Sequence, residues 1–237
     1  MMHFLTFAGK SSQDFGLRIS GEGTYNRPER SFTEYDVPGR NGSVIIDDGN
    51  FKNIEITYPC YVVQDLPQRV LDFANYMASF KGYQRLEDTY SREFYRLAQY
   101  QSGLDVKTSG YMNRRGEFNV VFNCKPQRFL KSGEHPIEFT AAGALFNPTH
   151  YASLPHLKIF GTESGTVGVG DYLITISQIN DYMDIDCELM DAYKGTANCN
   201  NSVSFNADSF KMEPGQNGIT FTGGITKVVI TPRFFMI

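Results

Sequence analysis

The chain has 237 residues, 41% of them hydrophobic and 20% charged, with 19 Phe, 14 Tyr and no Trp. That composition excludes a disordered chain and favours β structure with real cores, and the length allows one large domain or two smaller ones, with two expected because units of about 100 to 150 residues are commonest. The formal net charge of -4 excludes a protein that holds nucleic acid by overall charge, because such binding rests on Lys and Arg neutralising phosphates.

The opening Met1-Met2-His3-Phe4-Leu5 lacks the basic stretch and apolar core of a secretory signal. No apolar run approaches the roughly 18 residues that span a bilayer, so cytoplasmic synthesis and no membrane partner are expected. Phe4 to Phe7 and Phe15 to Ser20 read as short strands on either side of the polar turn Gly9-Lys10-Ser11-Ser12, and Thr24 to Tyr35 continues the meander. Pro38-Gly39 and Asn41-Gly42 punctuate it, and the Asn-Gly pair predicts a two-residue hairpin turn with positive φ. Ser43 to Asp48 follows, then the alternating run Phe51 to Val63. Its Ile54, Ile56, Tyr58, Cys60 and Val62 share one face, the pattern of a half-buried strand and of a spine for the first domain.

From Asp65 the period changes. Val70, Phe73, Ala74 and Met77 recur at helical spacing, Asp65 is placed to cap the start, Pro67 suits the first turn and Gly82 suits the end. Gln84 to Asp88, Arg92 to Tyr100 and Gly116 to Lys125 return to strand patterns, the last with Phe118, Val120, Phe122 and Cys124 on one face. The segment Pro126 to Gly143 mixes Pro, Gly, Ser and charge without sustained period. It marks a linker between domains 1–130 and 143–237. Beyond it, short strands at His156 to Phe160, Tyr172 to Ile179, Tyr182 to Met190, Val203 to Phe205, Ile219 to Phe221 and Ile225 to Thr231, with a Gly-rich turn at Gly161 to Gly170, predict a β-sandwich. The fold class is therefore mainly β, with one packed helix in the first domain.

Candidate chemistry is sparse. Asp184, Asp186 and Glu188 alternate with apolar residues and would share a sheet face, an arrangement able to bind a hard cation or pair acid with base. A polar outward face accounts for them more simply, since no Gly-containing calcium loop accompanies them. Asp47-Asp48 reads as a turn, and the four histidines, His3, His135, His150 and His156, lack metal-ligand spacing. Cys60, Cys124, Cys187 and Cys199 have no Cys-x-x-Cys spacing; the first three read as small buried hydrophobes. Val167-Gly168-Val169-Gly170 has neither the Lys-Ser/Thr of a phosphate loop nor a following helix, and no nucleophile motif appears. No catalytic residue, cofactor or metal is assigned, and no enzyme is expected. Arg27, Arg30, Arg40, Arg114 and Arg115 form a basic scatter suited either to intersubunit ion pairs or to solvated loops.

Taken together, several pieces resemble the distal tail proteins of long, non-contractile-tailed phages and related prophage components. At the front they are Phe7 to Ser12 with Asp14-Phe15-Gly16-Leu17, then Pro38-Gly39-Arg40-Asn41-Gly42, Tyr58-Pro59-Cys60-Tyr61, Gly82 to Asp88 and Cys124 to Arg128. In the second half they are Asn147-Pro148-Thr149, Ile185 to Glu188 with Asp191-Ala192-Tyr193, Pro214-Gly215 with Asn217, and Pro232-Arg233-Phe234. Each piece is weak; their order and spacing are specific and cover nearly the whole chain. The resemblance implies an N-terminal domain that closes a homo-hexameric ring at the virion tail tip, carrying a C-terminal galectin-like β-sandwich. Such a ring joins the tail tube protein to baseplate hub, fibre or receptor-binding proteins and leaves a channel for DNA. It also makes Pro38, Gly39, Arg40, Asn41 and Gly42 the candidate oligomer interface. The alternative is a carbohydrate-binding module for host-surface attachment, with Tyr151, Tyr172, Tyr182 and Tyr193 available as aromatic platforms.

Overall fold

The computed structural model describes residues 3–21, 26–63, 66–101, 103, 105–109, 115–207 and 209–237. Thr24, Asp65 and Arg114 lie outside the described residues. The chain divides into two compact units, Met1–Arg128 with Ile237, and Phe129–Met236.

The first unit contains β1 (Leu5–Phe7), β2 (Lys10–Ser11), β3 (Leu17–Ile19), β4 (Arg30–Asp36), β5 (Ser43–Phe51), β6 (Ile54–Val63), α1 (Leu66–Ala78), β7 (Gln84–Asp88), β8 (Phe94–Tyr100), β9 (Lys107–Ser109) and β10 (Arg115–Cys124). Its main sheet runs β2-β1-β7-β8-β10-β6-β3, with β9 on β10. The expected spine is there: β6 and β10 pair antiparallel over ten residues, from Arg115↔Val63 to Cys124↔Ile54. This register sets Ile56 opposite Phe122, Tyr58 opposite Val120 and Cys60 opposite Phe118, all buried. Pro59 is tolerated inside β6 because it faces the end of β3: its carbonyl takes the Ser20 N–H, and its missing donor falls opposite Ser20, which is exposed to water. Helix α1 covers the sheet with Phe73 and Met77, and the Tyr76 hydroxyl donates to the carbonyls of Phe7 and Ala8. The first hairpin turns at Ala8-Gly9, both at positive φ (48° and 89°), so of the expected turn Gly9 to Ser12 only Gly9 takes part, and Lys10 and Ser11 pair as β2.

The expected turn at Asn41-Gly42 is replaced by a longer one. Strands β4 and β5 form a two-stranded sheet of their own, paired from Asp36↔Ser43 back to Phe32↔Asp47, so the connection spans residues 37–42. Gly39 and Gly42 take positive φ, and Asn41 does not. The physical reason is register. A turn confined to Asn41-Gly42 would set Asp36 opposite Asp47 and draw Pro38 into a ladder, whereas the observed register pairs Tyr35 with Val44 and Thr33 with Ile46.

Residues 126–143, expected as a linker, hold regular structure. β11 (Arg128–Leu130) is followed by a 3-10 turn at Lys131–Glu134 and β12 (Ile137–Phe139). The second unit continues with β13 (Gly143–Asn147), β14 (His156–Val169), β15 (Tyr172–Ile176), β16 (Asp181–Asp186), β17 (Asp191–Lys194), β18 (Ala197–Asn198), β19 (Val203–Phe205), β20 (Gly215–Thr231) and β21 (Phe235–Met236). β21 pairs with β11, and β12 pairs with β20.

Two long strands build both layers of this unit. The N-terminal half of β14 (His156 to Gly161) pairs with β16 and the C-terminal half of β20; its other half (Gly165 to Val169) pairs with β15 and the N-terminal half of β20. Between them the register shifts, with three residues after Gly161 facing only Gly224. The paired strands bend together at this bulge. Leu157, Ile159, Val167, Val169, Ile174 and Ile185 then meet in one core. The predicted Gly-rich turn is thus the corner of two continuous strands, and the predicted separate strands at His156, Ile219 and Ile225 are their arms. The architecture is mainly β, with one helix in the described residues, as expected.

Candidate assembly surface

The β4–β5 ribbon is the most exposed element that carries large apolar side chains. Phe32, Tyr35, Ile45 and Ile46 are 51%, 55%, 64% and 52% exposed. Since side chains alternate along each strand and opposite residues share a face, Thr33, Tyr35, Val44 and Ile46 line one side. Phe32, Glu34, Asp36, Ile45 and Asp47 line the other. On that acidic side Arg30 bridges Asp47 at 2.7 Å. The Gly49 N–H and then the Arg30 guanidinium hold the Asp47 carboxyl below its usual range, although its side chain is open to solvent.

Pro38, Gly39, Arg40, Asn41 and Gly42 form the exposed tip of this ribbon. The tip is closed by the Arg40 N–H on the Val37 carbonyl (3.1 Å) and the Ser43 hydroxyl on Asp36 (2.8 Å). Among the described residues Arg40 makes no ion pair within its own chain. An isolated two-stranded ribbon is marginally stable in water. Exposed apolar stripes with unpaired backbone edges are what another chain covers. The sequence signal for the stripe is the alternation Thr33, Tyr35 and Val44, Ile46, which is weaker than the pattern of Phe51 to Val63.

The acidic triplet of the second unit resolves differently from a ligand set. Asp184 and Asp186 lie on β16, and Glu188 falls in the turn after it. Asp186 takes a two-pronged ion pair from Arg233 (2.9 Å to each carboxylate oxygen) and accepts the Glu188 and Leu189 N–H groups. Asp184 faces His156 at 3.6 Å. Among the described residues no group of three His, Cys, Asp or Glu side chains could hold a metal ion. The four cysteines are free, and burial pushes Cys60, Cys124 and Cys187 up to about 12, so they pack as thiols. No described helix is long and apolar enough to cross a membrane.

The Asp186–Arg233 pair makes a pH prediction. Burial alone would raise the Asp186 pKa; the Arg233 hydrogen bonds and charge, with the two backbone N–H groups, outweigh it and hold the carboxyl below 3.8. A depressed folded-state pKa contributes stability above the unfolded value of about 3.9 and loses it as pH falls through the folded value. Arg233 is 30% exposed and Asp186 13%, between a surface and a buried pair. Arg233→Ala is therefore expected to cost roughly 2 kcal/mol at neutral pH and to flatten the acid limb of stability. Urea midpoints measured across pH 2 to 7 (roughly the carboxylate range) check both.

Comparison with known proteins finds no matching family model and no matching curated protein. Among solved structures, the crystal structure of the SPP1 Dit protein (gp 19.1), described as a paradigm of the hub adsorption apparatus in phages infecting Gram-positive bacteria, superposes with a TM-score of 0.77. The match covers 100% of both chains at 11% identity. The chain has the Dit fold.

Several motifs that carried the resemblance are stitches of this Dit fold. Asp186 and Arg233, 47 residues apart in the chain, are the ion pair above. Asn147 donates to the carbonyls of Tyr151 and Met212 and accepts from the Thr149 N–H, while Asn217 accepts from the Glu213 N–H and donates back to the Glu213 and Gly215 carbonyls. Both side chains are buried and fully engaged. In the first unit Ser11 and Asp14 form a capping box, with Gly16 at φ 69° ending the 3-10 turn.

Proposed function

We propose that the protein is a structural component of a phage or prophage tail tip, a hub without enzymatic activity that works through its interfaces. Six copies close a ring through the first unit, and the second unit, a galectin-like sandwich, sits outside it. The ring joins the tail tube to baseplate or receptor-binding proteins and leaves a passage for DNA. The observation that carries this reading is the full-length likeness to a hub protein, combined with an exposed apolar ribbon whose tip bears Arg40. An acidic chain is compatible with DNA sliding past without adhesion.

Rings closed head to tail use one patch against a different one, so damage to either opens every contact. Native mass spectrometry of the purified chain is expected to give a mass six times that of the monomer, and Arg40→Glu is expected to shift it toward monomer. A strict monomer at high concentration would count against the ring, and an unaltered Arg40→Glu ring would remove residues 38–42 from the interface.

The carbohydrate reading is weaker because the candidate platforms are engaged. Lys158 and Lys194 lie 4.2 and 4.9 Å from the Tyr182 ring centre, Tyr151 stacks on Phe235, and the Tyr172 hydroxyl donates to Glu213. Binding of residues 129–237 to a glycan array would restore it.

A further inference from the structure

A small cavity of about 20 Å³ in the first unit is lined by Tyr58, Asp88, Ser91, Phe94, Arg96 and Arg128, among others. Two guanidinium groups reach it. Arg96 leaves its Nη1 buried with no hydrogen-bond partner, and Arg128 donates to the Ser91 hydroxyl (3.0 Å) and lies 4.6 Å from the Phe94 ring centre. Among the described residues no carboxylate lies within ion-pair distance of either.

The one carboxylate lining the cavity is already committed. Asp88 accepts the Tyr58 hydroxyl at 2.7 Å with one oxygen and the Tyr90 and Ser91 N–H groups with the other. Two cations therefore face one acid whose lone pairs are largely used. Burial lowers the Arg96 pKa and the Arg128 charge pushes the same way, while Cys124, Tyr58 and Asp88 oppose them. A partly buried cation without a counter-charge is destabilising, and the orphaned N–H adds to that.

We propose that this cavity binds a single halide-sized anion, chloride in ordinary buffers, held by the free Arg96 Nη1–H and the Arg128 charge. The small volume fits one species of about the size of water better than a carboxylate or phosphate group. A neutral water would satisfy the N–H but leave the charge uncompensated. The anion ties the ends of β7 and β8 to Arg128, where the chain leaves the first unit for the second.

The test uses the full chain. Thermal unfolding in sodium bromide or chloride is compared with sodium gluconate at equal ionic strength, where gluconate is too large to enter. Halide is expected to raise the first transition by roughly 2–4 °C, and Arg96→Met to abolish the difference. Should that variant not fold, crystals of the parent protein grown in bromide are expected to show an anomalous peak beside Arg96 Nη1. Equal transitions in halide and gluconate, or an empty anomalous map at that position, would overturn the proposal in favour of a water.

Discussion

Replacing Gly165 by Ala is expected to destabilise the second unit by about 3 kcal/mol or more, a large share of the 5–15 kcal/mol typical of a domain. A Cβ at this position would fall 2.3 Å from the Thr222 carbonyl oxygen and 2.7 Å from Ile225 Cγ1. Backbone is the nearest obstacle, so no rotamer change relieves the clash and β14 must move away from β20. The neighbouring corner glycines are similarly constrained, since a Cβ on Gly161 would fall 2.6 Å from the Gly224 carbonyl oxygen and Gly223 sits at φ 71°. Gly218 on β20 is the internal control, because a Cβ there meets nothing within 4 Å. Gly218→Ala should be neutral or slightly stabilising. Chemical denaturation of both variants checks the pair, and equal stability would mean that the corner does not depend on close backbone approach.

The second large effect is expected at the ribbon. Ile46→Glu should leave the monomer's stability within about 0.5 kcal/mol of the parent, because the side chain is 52% exposed and belongs to no described core cluster. In an assembled ring the same change would bury an unpaired charge in an apolar contact, at roughly 3 kcal/mol or more per interface. Closure multiplies that penalty around the ring, so sedimentation should show the oligomer lost at concentrations where the parent is fully assembled. Tyr35→Glu on the same face should behave alike. Rings that survive both substitutions would place the interface elsewhere.

Local pattern was enough wherever one buried face repeated at a fixed period. The alternation of Ile54 to Val62 and of Phe118 to Cys124 predicted two half-buried strands, and their ten-residue pairing follows from matching those faces. The i, i+3, i+4, i+7 spacing of Val70, Phe73, Ala74 and Met77 predicted α1 in the same way. Buried roles for Cys60, Cys124 and Cys187 were legible for the same reason.

What period could not supply was anything set by partners distant in the chain. Glycine clusters look like turns locally, and only the approach of β20 to within van der Waals contact of β14 makes Gly161 and Gly165 a corner inside continuous strands. Asn41-Gly42 has the composition of a tight hairpin, yet cross-strand pairing of Tyr35 with Val44 outweighs that preference and lengthens the turn. Asp184, Asp186 and Glu188 read as a polar outward strand face, yet Arg233 pairs with Asp186 and Glu188 falls in the turn after β16. The sequence by itself determined a mainly β chain with one packed helix and no motif for chemistry, because burial on one face is a local property. Only the tertiary structure decided which strands bend, which carboxylates are paired, and that the Pro38 to Gly42 tip stands on an exposed apolar ribbon, because each depends on what the rest of the chain brings alongside.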